Sequence, residues 1–217
     1  MASTTIDTET ELSAVNSILG AIGQSPVTTL NFTNPEISFI YNLLRDANVD
    51  VQNEGWHFNT EKHVTYTPNS NGKIVIGDDI LRMDITDGWN KRQYDVVKRC
   101  TLNITTNARE CFLYDKYDHT DDWSELNDDG IDLDITRLFS FEDLPSVFRR
   151  YVTQKACRLA STQLVANPQL TAALQQEEAF ARAACMEYEC NQGNPSMFGF
   201  PEDTVYHTYQ PWRNLRR

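Results

Sequence analysis

Apolar residues recur at helical spacing near both ends of this chain, while its middle is built from short β-type runs. This switch of period restricts the fold more than any motif does. Leu12, Val15, Ile18, Leu19 and Ile22 form the first helical stripe. Thr8-Glu9-Thr10-Glu11 has capping-box spacing ahead of it, and Gly23 followed by Pro26 closes it. Asn34-Pro35 announces a second helix, with Ile37, Ile40, Tyr41, Leu44 and Val51 on one face and Gly55 at its end. Between Trp56 and Phe139 the runs 63–66, 73–76, 94–97 and 111–114 are β-rich, with turn signals at 68–72, 87–88 and 128–130. Helical spacing returns after Asp143-Leu144-Pro145 with Val147, Phe148, Tyr151, Ala156 and Leu159. Asn167-Pro168 starts a fourth helix carrying Leu170, Leu174, Ala181, Cys185 and Tyr188, and Gly193 ends it.

The pattern predicts an α+β chain. A four-helix bundle is expected from an N-terminal pair (residues 1–55) and a C-terminal pair (140–193), with a small antiparallel β module (56–139) inserted between them. An extended C-terminal arm, 194–217, follows.

The chain holds 31 acidic against 19 basic residues, a net charge of -12. Nine acids and one lysine fall between Asp115 and Asp134, whereas the last seven residues carry three arginines and no acid. Binding DNA through its phosphates needs clustered Lys and Arg, so that class is excluded. A like-charged wall beside DNA is not, since it would let the duplex slide. No run approaches the roughly 18 apolar residues of a membrane span, and no basic, apolar leader opens the chain. Five scattered cysteines predict reduced thiols.

Catalytic motifs fail one by one. There is no G-x-G-x-x-G, Gly72-Lys73 lacks a following Ser or Thr, and no G-x-S-x-G exists. His57, His63, His119 and His207 form no H-E-x-x-H, and the cysteines form no C-x-x-C. Setting Gly130 at the sixth position of an EF-hand loop puts Glu125, Asn127 and Asp129 at the first, third and fifth. The twelfth is then Thr136 rather than Glu, and the reading fails. A solvated acidic face is expected there, with a loop-bound cation as the weaker alternative. Carboxylates are numerous enough to supply a glycosidase pair, so a polysaccharide hydrolase stands as the rival function.

The segment after Asn194 has three prolines and no period, yet it holds Phe198, Phe200, Tyr206, Tyr209 and Trp212 with Arg213, Arg216 and Arg217. Such aromatics either pack back on their own domain or serve an interface.

Several segments, in order, resemble one family. Glu11–Leu19 continuing through Ile22-Gly23-Gln24-Ser25-Pro26-Val27 looks like the opening of the head-to-tail adaptor of short-tailed bacteriophages (podoviruses, Autographiviridae-like), also called tail tubular protein A or the gatekeeper. Gly55-Trp56-His57-Phe58-Asn59 is similar to that family's step into its β module. Ile76–Arg82, Leu113-Tyr114-Asp115, Phe141–Pro145 with Phe148–Tyr151, Gln176-Glu177-Glu178 and Cys185–Glu189 resemble its later signatures. The likeness runs from about Glu9 to Gly199, with Gly77 where the family often has proline. It implies a non-enzymatic virion protein without cofactor or metal, assembled in the cytoplasm of a bacterial host. It implies a homo-oligomeric ring, typically a dodecamer, between the portal protein and the tail nozzle protein (tail tubular protein B), with tail fibres nearby. DNA passes through the lumen without specific binding and no membrane is involved. Under this resemblance the arm, with Phe198, Phe200, Tyr206, Tyr209, Trp212, Arg213, Arg216 and Arg217, is the portal-docking element.

Overall fold

A computed structural model describes residues 10–86, 94–102 and 109–193. They fall into two compact units, one joining the described residues up to Glu54 with Phe139–Gly193, the other formed by Gly55–Leu138.

In the helical unit, α1 (Glu11–Ala21) is capped by Thr10, whose side-chain oxygen accepts from the Ser13 amide at 3.3 Å. The cap is therefore two residues later than the Thr8 of the expected capping box, which lies outside the described residues. Gly23, at φ +77°, lets its amide reach Gly20 O (3.1 Å) and the Gln24 amide reach Leu19 O (2.9 Å). These two bonds are a Schellman stop, which satisfies carbonyls the helix leaves open. α2 (Pro35–Gln52) starts as expected, with Asn34 Oδ1 accepting from the Glu36 amide at 3.0 Å. α3 (Ser146–Ala160) begins behind Pro145, then relaxes into a π turn, Ser161–Val165, ended by Ala166 in the left-handed region. Asn167 then caps α4 (Pro168–Gly193) by accepting from the Gln169 amide at 3.0 Å.

Val15, Ile18, Ile40, Val51, Phe148 and Val152 are fully buried in this unit, each contributing about 1.5–3 kcal/mol. α1, α2 and α3 pack on one another, and α4 lies along α3 without an extensive contact to α1 or α2. The expectation of two helix pairs closing as a four-helix bundle is thus met only as four helices in an α+β chain. Of the predicted α4 stripe, Ala181 and Cys185 are buried, while Leu170, Leu174 and Tyr188 are half-exposed. Tyr188 stands edge-on to Phe148 at 5.9 Å, and Arg158 of α3 pairs with Glu178 of α4. Arg182 reaches the end of α2, donating to Glu54 Oε2 at 2.8 Å.

The β unit holds a three-stranded antiparallel sheet in the order β1-β5-β2 and a two-stranded hairpin β3-β4. The strands are β1 (Thr60–Tyr66), β2 (Ile80–Ile85), β3 (Val96–Leu102), β4 (Arg109–Asp115) and β5 (Ile131–Arg137). Ile131, Leu133 and Ile135 of β5 point inward and join Ile74, Ile76, Ile80, Leu113, Trp123 and Leu126 in one core. The central strand of the sheet therefore lies within what reads in sequence as the end of an acidic loop. Asp132 and Asp134 are its outward residues, fixed by the Thr65 and Thr86 hydroxyls at 2.7 Å each. Residues 73–76, predicted as a strand, make only an isolated bridge at Val75, although the Ile76 amide and the Ile74 carbonyl do bond β4.

The register also overturns the expectation of five reduced thiols. Cys100 of β3 stands directly opposite Cys111 of β4, and the two form a disulfide. Sequence separation hides what cross-strand pairing creates. Cys157 and Cys185 remain free and buried, and Cys190 is free and exposed.

Candidate functional site

The residues expected to dock on the portal, Phe198, Phe200, Tyr206, Tyr209, Trp212, Arg213, Arg216 and Arg217, all lie outside the described residues, as does His207. Of the other histidines, His57 follows α2 in a 3₁₀ turn. His63 sits at a bulge of β1 with φ +58°, its amide donating to Asp134 Oδ1 at 3.1 Å, and His119 lies in the turn after β4. All three side chains are exposed and belong to different elements.

The acidic stretch is not one feature. Its start and its end are strand residues, and only the part between them is loop. Along β4 every second residue faces in: Cys111, Leu113 and Asp115 are all buried, the last 1% exposed. Asp115 is thus an inward carboxylate at a strand end, not part of a solvated face, and its period-2 phase with Leu113 was the available signal. Its Oδ1 accepts from the Asp95 amide at 3.0 Å and the Tyr117 amide at 2.8 Å. Its Oδ2 is buried with no hydrogen-bond partner. Asp115 lines a cleft of about 260 Å³ together with Asp118, Asp122, Glu125, Tyr94 and Trp123. Hydrogen bonds from the Ser124 hydroxyl and amide to Asp122 hold that carboxyl below the usual range. The EF-hand geometry fails in space as well, because Gly130 leads straight into β5 and Thr136 is a sheet residue.

The other candidate is the outer side of α4. Phe180 is 72% exposed and Met186 48%, and Leu164 and Val165 in the preceding π turn are exposed as well. A helix of 26 residues that fully buries only two apolar side chains offers more apolar surface than its own unit covers. Among the described residues no helix is long and apolar enough to cross a membrane.

No curated protein matches this chain. The family described as tail tubular protein matches it over residues 12–195, which spans both units. That covers well over half of the sequence, from α1 through α4, and the chain belongs to the tail tubular protein family, structural proteins of the bacteriophage tail.

Proposed function

We propose that this protein is the subunit of a head-to-tail adaptor ring of a short-tailed phage. In this reading the ring, of about twelve copies by its family resemblance, joins the portal to the tail nozzle and forms part of the conduit for DNA ejection. Membership of the tail tubular family supports the tail setting. The observation that carries the ring itself is α4, with Phe180 and Met186 outward on a helix its own unit leaves largely uncovered. Covering Phe180 in a neighbouring copy would contribute up to about 1.5–3 kcal/mol before ordering costs. The net charge of -12 suits a wall that DNA passes without sticking.

The helical unit builds the ring, the β unit meets the nozzle, and the segment 194–217 docks on the portal. The test is to mix the purified chain with portal rings and image the product. A collar of density beneath the portal is expected with the full chain and none with a chain ending at Gly193. Portal rings left bare by the full chain, or bound with unchanged affinity by the truncated one, would refute the assignment. Phe180→Asp should leave a folded monomer that no longer closes a collar.

A further inference from the structure

We propose that Cys100 and Cys111 are a reversible redox couple, a dithiol in the bacterial cytoplasm and a disulfide outside it, whose closure locks the open end of the β3–β4 hairpin. The cytoplasmic setting rests on the phage-tail reading, and the couple itself rests on the geometry.

Val96, Lys98, Cys100 and Leu102 share one face of β3 and stand opposite Asp115, Leu113, Cys111 and Arg109 of β4. Burial runs out along that face. Val96 and Leu113 belong to the core, Cys111 is 3% exposed, Cys100 is half-buried and Leu102 is 63% exposed. The pair therefore stands where the apolar core stops. β4 is also held from its other side, since the Ile76 amide donates to Cys111 O at 2.9 Å and the Leu113 amide to Ile74 O at 3.0 Å. These bonds turn Cys111 and Leu113 away from β3 and leave Phe112 and Glu110 to exchange backbone bonds with Arg99 and Thr101. Among the described residues β3 has β4 as its one sheet partner. Past the disulfide, the end of β3 is held by ladder bonds with no buried side chain beside them.

Two features make the bond reversible. Cys100 lines a cleft of about 610 Å³ with Arg82, Lys98 and Arg109, and no described acid lines it. An electropositive, partly exposed sulfur is open to an anionic thiolate. Cys111 is the buried partner, with Asp78 Oδ1 at 3.3 Å from its Sγ. A disulfide sulfur has no proton to give, so this contact becomes a hydrogen bond only when the bond opens and Cys111 is a thiol. Lys98 holds the acceptor in place, donating to Gly77 O at 2.7 Å and Ile80 O at 3.1 Å on either side of it. Stabilising the dithiol in this way makes the disulfide easier to reduce.

The reductant is a monothiol of the glutathione class. Its thiolate attacks Cys100 Sγ, the S–S bond breaks, and Cys111 Sγ takes the electron pair and then a proton. A second thiolate attacks the carrier sulfur on Cys100, releasing the Cys100 thiolate and the oxidised carrier. Two carrier thiols are oxidised and one disulfide is reduced. Closure is the reverse, with the oxidised carrier as oxidant.

None of the readouts that test this involves the portal, so their failure is separate from failure of the tail assignment. The full chain is equilibrated without oxygen in glutathione buffers, quenched with acid, alkylated and mapped by mass spectrometry. Cys100 and Cys111 are expected mainly as thiols at the poise of the bacterial cytoplasm and mainly joined in oxidised glutathione. Asp78→Ala should move the equilibrium toward the disulfide by about threefold, the loss of one weak hydrogen bond. Hydrogen exchange should run about tenfold faster at the Thr101 and Glu110 amides of the reduced chain, with Leu133 and Ile135 unchanged. Cys100→Ser should fold as wild type by circular dichroism and show the reduced pattern in every buffer. A pair still joined at the cytoplasmic poise, a pair open in oxidised glutathione, or an Asp78→Ala variant with an unmoved equilibrium would each overturn the couple. Equal exchange in both states, or acceleration that reaches Leu133 and Ile135, would overturn the lock.

Discussion

Replacing Gln52 with alanine should cost the helical unit about 2–4 kcal/mol. Gln52 is fully buried at the last turn of α2. Its Nε2 donates to Phe139 O and to Asn48 Oδ1, both at 2.9 Å, and its Oε1 accepts from the Phe139 amide at 2.8 Å. The returning chain is thus clamped by one side-chain amide that matches a backbone amide at both atoms. Alanine removes the acceptor of the Phe139 N–H, worth about 1–3 kcal/mol when such a group is stranded, and one packed methylene, worth about 0.8 kcal/mol. Asn48 Nδ2, at 3.3 Å, still serves the Phe139 carbonyl, which keeps the sum from being larger. With a urea slope of about 2 kcal/mol/M, the midpoint should fall by roughly 1–2 M, read by circular dichroism at the helix band. A second substitution separates geometry from bulk. Gln52→Glu keeps the acceptor but sets a carboxylate against two oxygens, so its folded pKa must rise above the unfolded value of about 4.3. Its deficit should be absent below that value and grow as pH rises through the folded pKa. An alanine variant within about 0.5 kcal/mol of wild type, or a glutamate variant indifferent to pH, would refute the clamp.

Thiol counting should find one reactive group in the native protein, Cys190, two more on unfolding, and two more only after reduction. Burial pushes the Cys157 and Cys185 thiols up to about 12, so they should resist iodoacetamide at pH 8. Gly130→Ala should lower the melting temperature by several degrees. At φ +68° and ψ -170° the backbone suits only glycine, and a Cβ would meet Tyr66 O at 2.8 Å, a cost of about 1–3 kcal/mol or more. Burial raises the Tyr151 phenol above its usual value. Stability from that group is present below about pH 10 and lost as pH climbs through the raised value, which denaturant midpoints between pH 9 and 11 would register.

How much of this was legible in the sequence depended on how local the causes were. Asn34-Pro35 and Asn167-Pro168 announced α2 and α4 correctly, because a cap is made by residues two or three apart. β5 was missed because Ile131-Asp132-Leu133-Asp134-Ile135 was read for its charge, although the same five residues alternate as a half-buried strand should. The disulfide could not be read at all, since only the β3–β4 register sets Cys100 opposite Cys111. The α4 stripe was drawn too wide because a helical period says which face is apolar, not whether anything within the same chain covers it. The cleft was hidden for a related reason. Asp115 counted as one more negative charge until the phase of β4 turned it inward.

The helical unit is discontinuous, and that has a consequence on the ribosome. α1 and α2 leave the exit tunnel first but cannot complete their core until α3 follows, after the whole of Gly55–Leu138 has been synthesised. At bacterial elongation rates that gap is on the order of ten seconds. Through it Val15, Ile18, Ile40 and Val51, fully buried in the finished protein, have no partner on α3. The inserted unit has all of its described strands in one continuous stretch and can close first. In doing so it brings Arg137 back to Asn59, whose side chain donates to the Arg137 carbonyl at 3.0 Å. Folding of the insert thus delivers the second half of the helical unit to the first, turning a long loop closure into a short one. Mutations that weaken the β core should therefore appear during translation as nascent chains caught by chaperones through α1 and α2, elements that the mutations do not touch.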